Sequence, residues 1–229
     1  MIPKIAVLIP DRGDRPALLK NCIRMMLAQT LAPTKILVVD HKPTSDAIDI
    51  TQRYRIGYNK LCGQGFDCIL FIENDDYYHP EYIQMMYSVW NQLDKPEMLG
   101  TSYTYYYHIY LRKYVKMLHR SRASAMNTLI VPDLNLKWCA DSEPFTDMWL
   151  WMREDVNVLR REIFTPDKIY SLGMKHGTGK CGGFNHTTRL HRFTHDDTDG
   201  SFLKSVVDKD SFEFYQSYRN DLRSEEFIA

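Results

Sequence analysis

A short apolar run that ends in acids, CILFIENDD, occupies residues 68–76. Its first five residues carry no polar side chain, which is typical of a strand buried on both faces of a parallel sheet. Two runs upstream have the same character, KIAVLIP at residues 4–10 and KILVVD at residues 35–40. The sequence therefore predicts three buried strands in its first third, each followed by polar residues.

Helical patterns follow each of these runs. The first begins near Asp14 and Pro16, the second covers residues 46–62, and the third opens at Pro80. Proline at the first helical position and apolar residues three or four apart are ordinary helix signals. Strands alternating with helices predict an α/β fold, with a mostly parallel central sheet and helices on both faces.

The second half has a different pattern. Residues 98–118 are rich in tyrosine and β-branched residues, which favours antiparallel strands or a hairpin. Further elements are expected as a strand at 128–132, a helix at 145–154, a strand at 168–174 and a final helix at 211–227. The Gly- and His-rich stretch at about 175–200 predicts a flexible loop.

Bulk composition excludes several classes of protein. The 229 residues carry 29 Lys and Arg against 29 Asp and Glu, so no global field draws the chain to nucleic acid or membrane. Five scattered cysteines without a Cys-x-x-Cys pair favour reduced thiols over a disulfide framework or a zinc knuckle. A strand-like run near the N-terminus and the lack of a long apolar segment predict no signal peptide and no membrane span. We expect a soluble cytoplasmic protein.

The predicted strands all end in polar residues. The carboxyl ends of parallel strands lie at one edge of the sheet, which is where open α/β sheets bind ligands. The residues expected at that edge are Pro10-Asp11-Arg12, Asp40-His41 and Glu73-Asn74-Asp75-Asp76. Clustered carboxylates repel one another unless they are protonated or bridged by a cation, and hard Mg²⁺ or Mn²⁺ suits oxygen ligands. The alternative is an acidic turn that caps the helix after Pro80.

The segment IAVLIPDRGDRPALLKNCIRMMLAQTLAPTKILVVD, together with CILFIENDDYYHP, resembles family 2 glycosyltransferases. That family opens with a strand, Pro-Thr-Tyr-Asn-Arg-Pro, a helix ending Ala-Gln-Thr, and Val-Val-Asp-Asp, and later carries an Asp-x-Asp segment. The match covers roughly the first 95 residues. The resemblance implies a GT-A fold over residues 1–229, with a nucleotide-sugar-binding half at 1–97 and an acceptor half at 98–229.

The resemblance also assigns roles to the strand ends. It implies that Asp40 holds the base or ribose and that Asp75, the second acid of Asp-x-Asp, binds the metal. The other positions that it assigns to the nucleotide-sugar are Pro10, Asp11, Arg12, Glu73 and Asn74. Two departures are visible, since Glu73 replaces the first Asp of Asp-x-Asp and His41 replaces the second Asp of Val-Val-Asp-Asp.

FTDMWLWMR at residues 145–153 resembles the segment that carries the family's catalytic base. The resemblance aligns Asp147 with that base and implies a single displacement with inversion at the sugar. A base must be ionised and within reach of the acceptor hydroxyl. The alternative is that Asp147 only caps a helix, in which case Asp141 and Glu143 are the reserve candidates.

A late histidine completes the metal site in several GT-A enzymes, and His176 fits that pattern because it follows a predicted strand and precedes several glycines. Glycines let backbone approach phosphate, and Lys175, Lys180 and Arg189 could neutralise it. The alternative is a solvated loop whose histidines have no role. Zinc is not expected, because no Cys/His pair has finger-like spacing.

The stretch YTYYYHIYLRKYVKMLHRSR, residues 103–122, interleaves aromatic and basic residues. Rings and cations together would suit a sugar or a nucleic-acid strand. A strand pair with tyrosines facing the core and cations facing water would produce the same pattern.

These features predict a glycosyltransferase that uses Mn²⁺ or Mg²⁺ and a nucleotide-sugar, with UDP implied by resemblance and GDP or dTDP as alternatives. The acceptor is a glycan or small molecule, or alternatively a hydroxymethylated base in DNA. A nucleotidyltransferase and an inactive nucleotide-sugar-binding module are the other candidate functions.

Overall fold

The computed structural model describes residues 2–45, 47–176 and 190–226. In the first half the strands are β1 (Ile5–Pro10), β2 (Lys35–Val39), β3 (Cys68–Phe71) and β4 (Tyr77–Tyr78). The helices there are α1 (Pro16–Leu27), α2 (Ile50–Leu61) and α3 (Tyr82–Gln92).

The second half contributes mostly short strands. They are β5 (Met98–Thr101), β6 (Tyr103–His108), β7 (Lys113–Leu118), β8 (Thr128–Ile130), β9 (Arg161–Phe164), β10 (Ser171–Lys175) and β11 (His195–Asp196). Its helices are α4 (Thr146–Met152), α5 (Ser201–Val206) and α6 (Lys209–Glu226), with 3₁₀ turns at Ala125–Asn127 and Glu154–Val156.

The central sheet has six strands among the described residues, in the order β2-β1-β3-β8-β5-β9. β2, β1 and β3 are parallel, while β8 runs antiparallel to both of its neighbours. The predicted mostly parallel α/β sheet is therefore confirmed, and its parallel part lies where the three buried runs were identified.

Both faces of β1 are buried, because alternate side chains point to opposite sides of the sheet. Ile5, Val7 and Ile9 belong to one apolar cluster, which also holds residues of α1 and α3. Ala6 and Leu8 belong to a second cluster with residues of α2 and α4. An uninterrupted apolar strand is what this two-sided packing requires.

A second sheet has the order β11-β7-β6-β10-β4 among the described residues. The predicted hairpin exists as antiparallel β6 and β7, whereas β5 pairs with β8 and β9 in the central sheet. β10 lies parallel to β6 and brings the residues that follow Met174 to the end of that strand.

Several boundaries differ from prediction. The helix expected at 46–62 begins only at Ile50, because the residues before it form a loop that is hydrogen-bonded to Arg12. The strand expected at 168–174 is Ser171–Lys175. Part of the expected flexible loop is regular, since 195–196 pair with β7, while 177–189 lie outside the described residues. No described helix combines the length and apolar character that a membrane crossing needs.

Candidate functional site

The ends of β1 and β3 are joined by polar side chains. The register pairs Leu8 with Phe71, so the residues that follow these strands leave the sheet side by side. Nδ2 of Asn74 donates to Oδ1 of Asp11 at 2.5 Å, and Oδ2 of Asp11 accepts from the amide of Gly13 at 2.9 Å. Asp11 and Asn74 thus fix each other beneath the loop that leads to α1.

A buried arginine fixes the adjoining loop. Arg53 is fully buried and donates to the carbonyl of Val39 at 2.9 Å and to Oδ2 of Asp49 at 2.8 Å. Arg12 donates to the other oxygen of Asp49 at 2.7 Å and to the carbonyl of Ala47 at 2.7 Å. Partial burial opposes ionisation of Asp49, but Arg53 and Arg12 outweigh it and lower the pKa of this carboxyl.

Asp49 and Arg53 were missed by the sequence analysis. Their spacing of four residues at the start of α2 was an available signal, because such pairs face each other on a helix. Asp40, expected to hold base or ribose, is exposed after β2 and lines neither of the two cavities described below. The structure therefore brings Asp49, not Asp40, to the candidate site.

Asp75 lies at the centre of a charged cluster. Its Oδ2 accepts from Nη1 of Arg15 and lies 2.9 Å from Nε2 of His176. Burial opposes ionisation of Asp75, yet Arg15 and the hydrogen bond with His176 hold the pKa of this carboxyl well below its usual range. Asp75 and His176, both expected as metal ligands, therefore meet although they are far apart in sequence.

Glu73, Asp75 and Asp76 each offer an oxygen, and these atoms lie within 4.8 Å of one another. Burial and the neighbouring carboxylates raise the pKa of Asp76, and burial raises the pKa of Glu73 to about 7. No donor among the described residues reaches the buried Oδ2 of Asp76. Carboxyls this close to one another need a shared proton or a bridging cation. The oxygen donor set and its unbalanced charge fit Mn²⁺ or Mg²⁺.

Lys175 at the end of β10 partly balances these acids. Burial would lower the pKa of its ammonium, but Asp76, Asp75 and Glu73 outweigh burial and raise it. Lys175 is therefore charged at neutral pH and lies against the carboxylate cluster.

Two cavities adjoin at this cluster. The charged cavity, about 120 Å³, is lined by Pro10, Asp11, Arg12, Arg15, Asp49, Arg53, Asn74 and Asp75, among others. The aromatic cavity, about 340 Å³, is lined by Tyr54, Tyr106, His108, Phe145, Asp147 and Phe193, among others. Ile50, Glu73, Pro144 and Lys175 line both. The two spaces thus share a wall that carries one carboxyl and one ammonium.

Asp147 lies in the first turn of α4 and lines the aromatic cavity. It is not the N-cap, which is Phe145, and its carboxylate accepts a hydrogen bond from Nη1 of Arg122. Burial raises the pKa of Asp147, and Arg122 opposes that shift. The reserve candidates Asp141 and Glu143 do not line this cavity, so Asp147 is the one of the three candidate bases that faces it.

The position of one cavity wall depends on a glycine behind it. Gly173 of β10 lies beside Tyr106 of β6 in the parallel register. A Cβ on Gly173 would lie 2.4 Å from the Tyr106 ring, well inside contact distance. Glycine therefore lets this ring approach β10 closely at the edge of the aromatic cavity.

Several tyrosines of residues 103–122 are engaged in packing. Tyr103 and Tyr107 are buried, and Tyr114 stacks on Phe202 of α5 with ring centroids 3.6 Å apart. The ammonium of Lys116 lies 4.2 Å from the ring centroid of Tyr103. These contacts match the core-forming interpretation of the stretch.

The other predicted residues gather unevenly. Pro10, Asp11, Arg12, Glu73, Asn74 and Asp75 line the charged cavity. Lys180 lies outside the described residues, as does Arg189. Arg15 was not singled out from the sequence, although it precedes Pro16 in the loop that was quoted for the family resemblance.

Comparison with solved structures identifies the fold. S. aureus TarS 1–349 in complex with UDP-GlcNAc superimposes with a TM-score of 0.55 at 13% identity, covering 95% of this chain and 80% of that chain. The same fragment in complex with UDP gives 0.50 at 13% identity, covering 99% and 93%. A glycosyltransferase involved in glycosylation of the major capsid of PBCV-1 gives 0.46 at 9% identity, covering 83% and 98%.

No protein-family model matches this chain, and no curated protein matches its sequence. The likeness to the two TarS complexes extends over nearly all of the chain. The chain has the GT-A fold.

Proposed function

We propose that this protein is a metal-dependent glycosyltransferase that moves a sugar from a UDP-sugar to an acceptor hydroxyl with inversion. The observation that carries the proposal is the pair of adjoining cavities, one with the carboxylate cluster and one with Asp147, which share Glu73 and Lys175. Such a pair provides separate spaces for a nucleoside diphosphate and for the reacting sugar and acceptor. The GT-A fold, and UDP and UDP-GlcNAc in the TarS structures, support the same donor.

The charged cavity would bind the nucleotide part of the donor. Pro10, Asp11, Arg12 and Asn74 are proposed to contact base and ribose, in place of the exposed Asp40. Asp75 and His176 would hold the cation beside Glu73 and Asp76, with Lys180 near the diphosphate. A bound divalent cation supplies Lewis-acid stabilisation of the negative charge that develops on the leaving diphosphate.

The aromatic cavity would hold the reaction itself. The carboxylate of Asp147 takes the proton of the acceptor hydroxyl as that oxygen attacks the anomeric carbon. The bond from the anomeric carbon to the diphosphate oxygen breaks, and the nucleoside diphosphate leaves with the bonding electron pair. Arg122 keeps Asp147 oriented and favours its ionised form. One displacement inverts the configuration at the sugar.

The acceptor is proposed to be a glycan or a small hydroxylated molecule. Walls with Tyr54, Tyr106 and Phe145 present the apolar faces on which sugar rings stack. We also propose a cytoplasmic setting, because the cysteines among the described residues, Cys22, Cys62, Cys68 and Cys139, are unpaired.

Calorimetric titration of UDP, GDP and dTDP with and without Mn²⁺ tests the donor. UDP should bind in the presence of Mn²⁺, and Asp75→Ala should abolish this metal-dependent binding. Asp141→Ala is the matched control, since Asp141 is a carboxylate paired with Arg55 outside both cavities. If no nucleotide binds with metal present, the proposal is wrong.

Acceptor screening with the matching UDP-sugar follows, and it includes oligosaccharides, small hydroxylated molecules and hydroxymethylated DNA. Transfer to DNA alone would replace the proposed acceptor. Binding of UDP-sugar without transfer or hydrolysis, unchanged in Asp147→Asn, would indicate an inactive binding module. Transfer of a nucleotidyl group would indicate a nucleotidyltransferase.

A further inference from the structure

We propose that Arg15 occupies, in the free protein, the place on Asp75 where a cation would bind. When cation and donor bind, the side chain of Arg15 turns to the diphosphate of the donor. This inference rests on the proposed function. It adds a diphosphate-binding residue and a reason why cation and nucleotide bind together.

The contacts of Arg15 lie where a cation would be bound. Its Nη1 donates to Oδ2 of Asp75 and lies 3.3 Å from Nε2 of His176. The same two atoms, 2.9 Å apart, are those that the proposed metal site would use. Nε2 of His176 has at most one lone pair, so it cannot accept from the guanidinium and bind a divalent ion at the same time.

Arg15 cannot resolve this conflict by losing its charge. A guanidinium stays protonated in proteins, and Asp75 further raises the pKa of Arg15 against the effect of burial. The side chain must therefore move when a cation binds. Movement is sterically feasible because Arg15 lies beside the open charged cavity and its side chain retains 17% exposure.

A diphosphate would supply a new partner in that cavity. Arg15 immediately precedes α1, and the N-terminus of a helix favours an anion. The planar fork of arginine matches phosphate oxygens in a bidentate manner. Nε of Arg15 already lies 3.2 Å from Oδ1 of Asp14, a partly exposed carboxylate at the cavity wall, so the side chain keeps one contact as it turns.

Arg12 lines the same cavity but is held differently. Its guanidinium donates to Asp49 and to the carbonyls of Ala47 and Ser45, and none of these hydrogen bonds involves Asp75. Arg12 and Arg15 both line the charged cavity. Arg12→Gln therefore removes the same charge as Arg15→Gln but leaves the hydrogen bond of Arg15 with Asp75 in place. It is therefore a matched control for Arg15→Gln.

The test is calorimetric titration of MnCl₂ alone, of UDP alone, and of UDP with saturating Mn²⁺, on wild type, Arg15→Gln, Arg15→Lys and Arg12→Gln. For Arg15→Gln we expect Mn²⁺ alone to bind about tenfold tighter, because a charged hydrogen-bonding competitor is removed. UDP with Mn²⁺ should bind about tenfold more weakly, because a charge-assisted phosphate contact is lost. Circular dichroism and thermal unfolding show whether each variant is folded.

Arg15→Lys should lie between wild type and Arg15→Gln in both titrations, and Arg12→Gln should leave the affinity for Mn²⁺ alone unchanged. If Arg15→Gln binds Mn²⁺ alone as wild type does, or more weakly, Arg15 does not compete with the cation and the inference is overturned. The inference is also overturned if UDP binds wild type while Mn²⁺ alone binds neither wild type nor Arg15→Gln. That result leaves the donor assignment intact. Failure of UDP to bind any variant with Mn²⁺ present would instead remove the proposed function and the inference together.

Discussion

The charged and aromatic cavities share a wall but are built in different ways. The charged cavity is made of strand ends and the loops that follow them, and its side chains are fixed to one another, as Asp11 is to Asn74 and Arg53 is to Asp49. The aromatic cavity is assembled from β6, β7, α4 and the segment around Phe193, which come from distant parts of the chain. Under the proposed function, the nucleotide would be bound by residues at the edge of the central sheet, and the acceptor mainly by elements of the second half of the chain.

The largest expected effect separates chemistry from donor binding. Asp147→Asn should lower kcat about 1,000-fold, because a general base typically contributes 10²–10⁴-fold. The affinity for UDP with Mn²⁺ should stay unchanged, since Asp147 lines only the aromatic cavity. Asp141→Asn is the control and should leave kcat unaffected. Loss of UDP affinity in Asp147→Asn would show that the two cavities do not act separately.

The second prediction concerns the stability of the charged cavity. Arg53→Met removes the buried one of the two arginine partners of Asp49 and the side-chain donor to the carbonyls of Asp11 and Val39. We expect the free energy of unfolding to fall by about 3 kcal/mol, as when one partner of a buried ion pair is removed. Urea denaturation measures this change. Arg55→Met, at a surface pair with Asp141, should cost well under 1 kcal/mol.

The third prediction tests the shared wall. Lys175→Gln should weaken UDP binding about tenfold, because an ammonium next to the acid cluster and the charged cavity is lost. Lys175 also lines the aromatic cavity, so kcat should fall as well. Steady-state kinetics with a UDP-sugar, combined with calorimetry, separates the two effects. A change in only one of them would assign Lys175 to a single cavity.

The smallest expected effect is a shift along the pH axis. Asp147 must be ionised to act as a base, and burial raises its pKa. As the pH is lowered, kcat should therefore begin to fall at a pH above the usual pKa range of aspartate. Arg122 opposes that shift, and Arg122→Gln should therefore move the acidic limb to higher pH. The pH profile of kcat measures this. A limb that stays in place, or moves to lower pH, would contradict the assignment of Asp147 as base.

The sequence predicted the charged cavity better than the aromatic one, for a physical reason. Parallel strands deliver their next residues to one edge, so Asp11 and Asp75 could be brought together from local pattern alone. Whether Asp40 reaches that edge depends on the path of the loop before α2, which Arg12 and Arg53 determine through tertiary hydrogen bonds. The prediction that His176 and Asp75 share one site relied on the family pattern, because no local sequence signal relates two residues so far apart in the chain. The pairing of Asp147 with Arg122 likewise had no local signal.

Gly173 has a consequence for how the acceptor preference of such a protein can change. Tyr106 rests where a Cβ on Gly173 would lie, so substitution by alanine would push the ring away from β10 and reshape the aromatic cavity. Gly173 itself is not among the residues lining that cavity. If the aromatic cavity binds the acceptor as proposed, acceptor choice can change through a position that does not line the cavity. A directed-evolution library restricted to the cavity walls would leave this route to a new specificity unexplored.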